Sequence, residues 1–288
     1  MRFLDKVQRC NRRDLGCYIP FAADGRQLGW ITPVRADALL AFPAVFTPLA
    51  HQKGVTFVAD LANPDARSAA VAALIPKLPQ DLFAKPRKEL YAIKNHWAEP
   101  AAFRLDRGLV AAFGARAFGV HLNGYVRRGS DIFLWIGTRA RDMKVEPGKR
   151  DSMVAGGQPA GLSLMDNLVK ECGEEAHLDP ALARRAQPVG AISYAFDAPE
   201  GLRTDTLFCY DLAVPAEVKP QPSEEITRFD LMPIDEALAL VRDTDSFKFN
   251  VGLVILDFAM RHGLIDPEGE PDFEAIAGGL RERPQPIV

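Results

Sequence analysis

The 288-residue sequence has few cysteines, no long apolar run and no excess of basic residues. Its four cysteines form no CxxC pair and have no histidine at zinc-ligand spacing, so we interpret them as reduced thiols. The most apolar run, Val251–Met260, is too short to span a bilayer and contains Asp257. A net charge of −3 argues against a general nucleic-acid or membrane binder.

The composition is that of a folded protein, with 48% hydrophobic and 25% charged residues. The first fourteen residues are charged throughout and lack the apolar stretch of a signal peptide. We therefore expect a cytoplasmic protein with enough core for one large domain or two ordinary ones.

Roughly the first hundred residues have a mixed α+β pattern without a recognisable catalytic motif. Asp24-Gly25 separates two short apolar runs, as in a hairpin, and is followed by a strand at Val55–Val58 and a helix at Ala66–Leu74. A new alternating pattern begins at about Phe118. We predict an N-terminal α+β domain of unknown role at residues 1–115 and a second domain at residues 116–288.

The second domain is predicted to contain a hairpin, a central helix, two further strands and three final helices. The strands are expected at Phe118–Leu122, Ile132–Ile136, Gly190–Phe196 and Thr206–Leu212, and the final helices at Ile234–Arg242, Asn250–His262 and Phe273–Leu280.

The central helix follows a glycine-rich loop that begins at Gly156 and is expected to span Leu164–Leu178. Ser163 is a good N-cap with an acidic residue three positions on, and Asp179-Pro180 supplies a stop. An apolar stripe covers one face, made of Met165, Leu168, Val169, Cys172 and Ala176. Another face presents three carboxylates, Glu171, Glu174 and Glu175.

Three glutamates on an amphipathic helix could simply form a solvated face. However, seven basic residues against three acidic ones lie between Arg127 and Arg150, just before the loop. A basic segment can hold phosphate oxygens while carboxylates hold Mg²⁺, which binds proteins through few carboxylates plus substrate phosphates. The pattern therefore indicates metal-assisted chemistry on a phosphate.

The segment from Gly156 to Leu178 resembles the Nudix box, GX5EX7REUXEEXGU, where U is aliphatic. The spacing and the three final glutamates match. Three positions depart: Leu162 stands where the family has Glu, Lys170 where it has Arg, and His177 where it has Gly. The first Glu and the Arg of the family support the loop and helix rather than bind metal, and His177 is expected to cap the helix in the αL conformation.

The resemblance implies a Nudix α/β/α sandwich with a mixed sheet, preceded by the smaller N-terminal domain. It implies Mg²⁺, or Mn²⁺ in its place, bound by Glu171, Glu174, Glu175 and the Gly156 carbonyl. Glu174 and Glu175 would then be catalytic through the metal. Glu225, which is followed by Ile226 and Phe229 as in a family segment, is the candidate general base. Arg139, Lys144 and Lys149 are candidate phosphate binders.

Segments outside the box, including Gly119–Tyr125, Pro147–Gly157 and Phe247–Asn250, resemble the Nudix region associated with fungal thiamin pyrophosphokinase. This resemblance implies hydrolysis of a diphosphate linkage in a small molecule, with thiamin diphosphate or an altered form of it as the candidate substrate. No nucleic acid or membrane partner is expected, and a homodimer is left open.

Two other functions fit the same pattern. The departures at Leu162, Lys170 and His177 would suit a catalytically silent diphosphate-binding or sensor module of the same fold. An isopentenyl-type diphosphate isomerase also shares the fold, but its chemistry needs a cysteine in the pocket. Cys172 lies on the apolar stripe and Cys209 in a predicted core strand, so this function ranks lowest.

Overall fold

The computed structural model describes residues 2–283, and its N-terminal part contains two small sheets and three α-helices. Strands β1–β4 form a mixed sheet in the order β2-β1-β4-β3, and β5 and β6 form a separate antiparallel pair. The elements are α1 (Phe3–Arg9), β1 (Ile19–Ala23), β2 (Arg26–Ile31), α2 (Pro33–Leu40), β3 (Phe46–Pro48), β4 (Val55–Phe57), α3 (Pro64–Leu74), β5 (Leu90–Ile93) and β6 (Phe103–Asp106).

The predicted hairpin, strand and helix of this region are all present. Asp24 and Gly25 both have positive φ, 53° and 71°, which matches the turn geometry that joins twisted strands through two residues.

The C-terminal part is built on a seven-stranded sheet with helices on both faces. The strand order is β11-β12-β7-β8-β13, with β10 beside β7 and β9 beside β8, and only β12 and β7 run parallel. The elements are β7 (Arg116–Arg128), β8 (Asp131–Arg139), β9 (Arg150–Asp151), β10 (Val154–Gly157), α4 (Leu164–Ala176), α5 (Pro180–Ala183), β11 (Gln187–Ala198), β12 (Gly201–Ala213), β13 (Ile226–Pro233), α6 (Ile234–Asp243), α7 (Val251–Arg261) and α8 (Phe273–Gly279).

Alternation along the long strands explains the helix–sheet–helix sandwich. On β7, Val120 and Leu122 pack against the apolar stripe of α4, where Leu168 and Cys172 are fully buried. On β12, Leu207 and Cys209 face the opposite side and join the core around α7. The predicted α/β/α sandwich with a mixed sheet is therefore confirmed, preceded by smaller α+β structure.

The first helix departs from the expected division of the chain. Phe3, Val7 and Cys10 belong to the core around α7 rather than to the N-terminal core. Lys6 is buried, and its ammonium donates to Thr244 O at 2.6 Å and to Asp245 Oδ1 at 2.8 Å. Burial of the apolar face of α1 ties the start of the chain to the C-terminal part, beside α6 and α7.

The N-terminal core depends on a cluster of phenylalanine rings. Phe21 is fully buried on β1, and its ring lies 5.1 Å from that of Phe113 and 5.6 Å from that of Phe57, both edge to face.

We expect Phe21→Ala to lower the free energy of unfolding of this region by about 3–5 kcal/mol, because it removes a ring that its neighbours cannot replace. Urea denaturation followed by circular dichroism and fluorescence measures the change. Val34→Ala is the control, since Val34 is 55% exposed and should shift the free energy by less than about 0.5 kcal/mol. Equal transitions for the two variants would contradict the proposed importance of the cluster.

Candidate functional site

The candidate site is built where α4 lies beside β10. Gly156 has no Cβ, and the Glu171 side chain occupies the space: a methyl group on Gly156 would lie 2.3 Å from Glu171 Cδ. The Ala155 N–H donates at 2.9 Å to Glu175 Oε2, a side chain only 6% exposed. Two of the three predicted carboxylates are thereby held against the strand whose Gly156 carbonyl was predicted to bind the metal.

Both ends of α4 are fixed by local interactions, as the sequence predicted. Ser163 accepts a hydrogen bond from the Asp166 N–H at 3.1 Å, which satisfies one free donor of the first turn. His177 ends the helix in the αL conformation with φ 51°, and the Leu178 N–H donates to Cys172 O at 3.1 Å. The predicted capping role of His177 is confirmed, and the helix is two residues shorter than predicted.

The carboxylates are crowded and poorly solvated. Burial raises the pKa of Glu171 despite the opposing charge of Lys170. Burial, followed by the charge of Asp151, raises the pKa of Glu175 well above its usual value. Negative charge in such a place is stabilised by a nearby cation, so the site is electrostatically suited to one.

Lys170 supplies part of that positive charge. Its ammonium lies 2.7 Å from Glu174 Oε2 and 3.2 Å from Glu171 Oε1. Within residues 2–283, no three His, Cys, Asp or Glu side chains already converge in the way that a metal requires. The donor set nevertheless fits Mg²⁺ or Mn²⁺, because all its ligands are hard oxygens and Glu171 and Glu175 already flank Gly156.

A buried charge network lies beside the carboxylates. Asp151 contacts Arg139 Nη1 at 2.6 Å and Lys248 Nζ at 3.3 Å, and its other oxygen accepts from the Ser152 N–H. Burial alone would raise the pKa of Asp151. The charges of Lys248, His121 and Arg139 outweigh burial and keep this pKa below its usual value. Lys248 was not among the predicted site residues, although it lies in the segment Phe247–Asn250, which carries the family resemblance.

The three predicted phosphate binders have different environments. Arg139 is buried, and its guanidinium bonds to Asp151 and to the Val145 carbonyl, so most of its donors are already used. Lys149 pairs with Glu146 at 2.5 Å. Lys144 is exposed. Lys248, which adds positive charge close to Glu175, is therefore a further candidate.

Glu225 is exposed immediately before β13. Its carbonyl accepts from the Ala140 N–H at 2.8 Å, while the Gln221 N–H four residues earlier donates to Ala176 O at the end of α4. Hydrogen bonds thus anchor residues 221–225 to the end of α4 and to the chain that follows β8. The role of Glu225 as a base stays a prediction.

Neither Cys172 nor Cys209 supplies a reactive thiol for the isomerase alternative. Cys172 and Cys209 are both buried, and burial raises the pKa of Cys172 to about 12. A thiol at that value is neutral near pH 7 and a poor nucleophile.

Tyr91 of β5 also contacts the Gly156-Gly157 segment, although no motif in the sequence indicates this contact. A methyl group on Gly157 would come within 1.6 Å of its hydroxyl oxygen. The N-terminal part of the chain therefore lies directly against the candidate site.

Known proteins resemble this chain over both parts. Residues 2–117 match a family described as a domain of unknown function (DUF4743). Nudix hydrolase 24, chloroplastic, of Arabidopsis thaliana is 41% identical over 270 residues, which cover 92% of this chain and 74% of that protein. Nudix hydrolase 20, chloroplastic, of the same plant is 39% identical over 277 residues, with the same coverage.

Among solved structures, the binary complex of a C. elegans Ap4A hydrolase matches with a TM-score of 0.39 and 13% identity, covering 52% of this chain and 99% of that one. No helix within residues 2–283 has the length and apolar character needed to cross a bilayer.

The similarity to the two Arabidopsis proteins covers 92% of this chain, so it is not limited to the box. It accompanies a sandwich whose glutamate helix lies against the glycine strand. The chain belongs to the Nudix hydrolase family.

Proposed function

We propose that this protein is a divalent-cation-dependent hydrolase that cleaves a diphosphate linkage in a small molecule. The observation that carries the proposal is the placement of the Glu171 and Glu175 carboxylates against β10 at Gly156. Together with Glu174 and the Gly156 carbonyl, they would hold Mg²⁺, with Mn²⁺ as a substitute. When bound, the metal neutralises phosphate charge and lowers the pKa of water.

The residues of this chain have separate roles in the proposal. Glu175 is fixed by the Ala155 N–H, whereas Glu174 is 59% exposed at its side chain and free to move from Lys170 to a cation. Lys248 adds positive charge beside the carboxylates, where it favours a polyanionic substrate. Glu225 would accept the proton of the attacking water.

Thiamin diphosphate, or an altered form of it, is the proposed substrate. Support comes from the segments that resemble the Nudix region associated with thiamin pyrophosphokinase, among them Phe247–Asn250, which contributes Lys248 to the buried network. Nucleoside diphosphate derivatives are the main competitors.

A silent binding or sensor module is the second candidate. It is favoured by the contacts of Lys170 with both Glu171 and Glu174, which compete with a metal for two carboxylates. Tight binding of diphosphates with Mg²⁺, but no turnover over a broad panel, would support this function.

We expect Glu175→Gln to lower kcat by at least about 100-fold, because the amide keeps an oxygen for the Ala155 N–H but loses the charge that would hold the cation. The change in kcat is measured as phosphate release from thiamin diphosphate and from a panel of nucleoside diphosphate derivatives, with and without EDTA. Glu236→Gln, an exposed change on α6, is the matched control. Full activity of Glu175→Gln, or activity that survives EDTA, would refute metal-dependent hydrolysis at this site.

We expect Glu225→Gln to lower kcat by about 10²- to 10⁴-fold, with little change in KM, because a general base acts only in the chemical step. The neighbouring Glu224 is also exposed, and Glu224→Gln should leave kcat unchanged. If the two variants behave alike, the base is another group.

A further inference from the structure

The N-terminal part contacts the Nudix box through β5. The Ala160 N–H in the glycine-rich loop donates at 2.8 Å to Leu90 O, which fixes the loop to the strand. The next residue, Tyr91, is 7% exposed, and its hydroxyl occupies the place where Gly157 would carry a side chain. Gly157 directly follows the predicted metal ligand Gly156, so the phenol contacts the strand segment that carries this ligand.

The Tyr91 hydroxyl makes no hydrogen bond to any residue from 2 to 283. The ring is buried but the hydroxyl oxygen is not enclosed, so it is free to donate to water or to a bound ligand. Tyr91 lines a cavity of about 300 Å³ between the loop and the N-terminal part, together with Lys94 and Trp97. Burial raises the pKa of Tyr91 to about 12, so the hydroxyl remains a donor near neutral pH.

Arg107 lies beside Tyr91, with 38% of its side chain exposed. Its guanidinium lies 5.7 Å from the centre of the Tyr91 ring, and Nη1 donates to Glu89 Oε2 at 2.7 Å. Nε and Nη2 donate to no side chain or carbonyl in the described range 2–283. Glu171 interacts electrostatically with both Tyr91 and Arg107. A planar guanidinium with free donors matches phosphate oxygens.

We propose that Tyr91 and Arg107 donate hydrogen bonds to phosphate oxygens of the substrate held at Glu171, so that the N-terminal domain forms one wall of the active site. The inference rests on the proposed function for the identity of the substrate as a diphosphate. The two walls have complementary chemistry: α4 supplies carboxylates for the cation, and the β5–β6 pair supplies neutral and cationic donors for the anion.

The test is calorimetric titration of the full chain with imidodiphosphate in excess Mg²⁺, since the P–N–P bridge of this probe resists hydrolysis. We expect Arg107→Gln to weaken binding by about 10- to 100-fold and Tyr91→Phe by about 2- to 10-fold, as for loss of a charged and a neutral hydrogen bond. Arg107→Lys, which keeps the charge but not the planar fork, should lie between wild type and Arg107→Gln.

Arg104→Gln is the matched control: like Arg107, Arg104 is exposed and paired with a carboxylate, here Asp65 at 2.6 Å, whereas it is Arg107 that lies over the Tyr91 ring. It should bind the probe as wild type does. Circular dichroism and thermal unfolding identify any variant that fails to fold. If Arg107→Gln is one of them, the affinities of Tyr91→Phe and Arg107→Lys for the probe test the inference.

Unchanged affinity in Arg107→Gln and Tyr91→Phe would overturn the inference, and so would an equal loss in Arg104→Gln or failure of the wild type to bind. Turnover assays separate this outcome from failure of the proposed function. A wild type that binds the probe through these donors but hydrolyses no diphosphate would refute the hydrolase and leave the phosphate-binding wall intact.

Discussion

The contact between the glutamate helix and the glycine strand is the constraint on which the site depends. Glu171 lies against Gly156 only because that residue has no Cβ, and Glu175 is held by the Ala155 N–H. Since each residue of a helix turns by about 100°, a slip of one position would turn both carboxylates away from the strand. The caps at Ser163 and His177 therefore determine where the metal-binding groups lie.

The charges around this contact are balanced in a way that leaves room for a cation. Asp151 is fully committed to Arg139, Lys248 and the Ser152 N–H, so it acts as a fixed negative charge behind Glu175. Exposed Glu174, in contrast, has only Lys170 as its partner among the described residues. Surface ion pairs of this kind are weak, and a divalent cation can replace an ammonium there at little cost.

The sequence could predict the parts that depend on local chemistry and periodicity. The start of α4, the αL conformation of His177 and the two buried faces of the sheet follow from caps and alternation within short segments. The parts missed depend on contacts between distant segments. Lys248 meets Asp151 across nearly a hundred positions, Tyr91 meets Gly157, and the predicted phosphate binder Arg139 is occupied by a buried carboxylate.

The departures from the box are mutually consistent in the folded chain. Leu162 replaces the acidic residue that in the family supports the loop, and it is 37% exposed, with no charge to offer Lys170. Lys170 instead turns along its own helix to Glu171 and, one turn on, to Glu174, a favourable i, i+4 pairing. The loop is anchored elsewhere, by the Ala160 N–H on Leu90 O and by Gln158, which donates to Leu162 O. Part of the support that the family places inside the box is thus supplied here by β5, because the Ala160 N–H bond ties the loop to the N-terminal part of the chain.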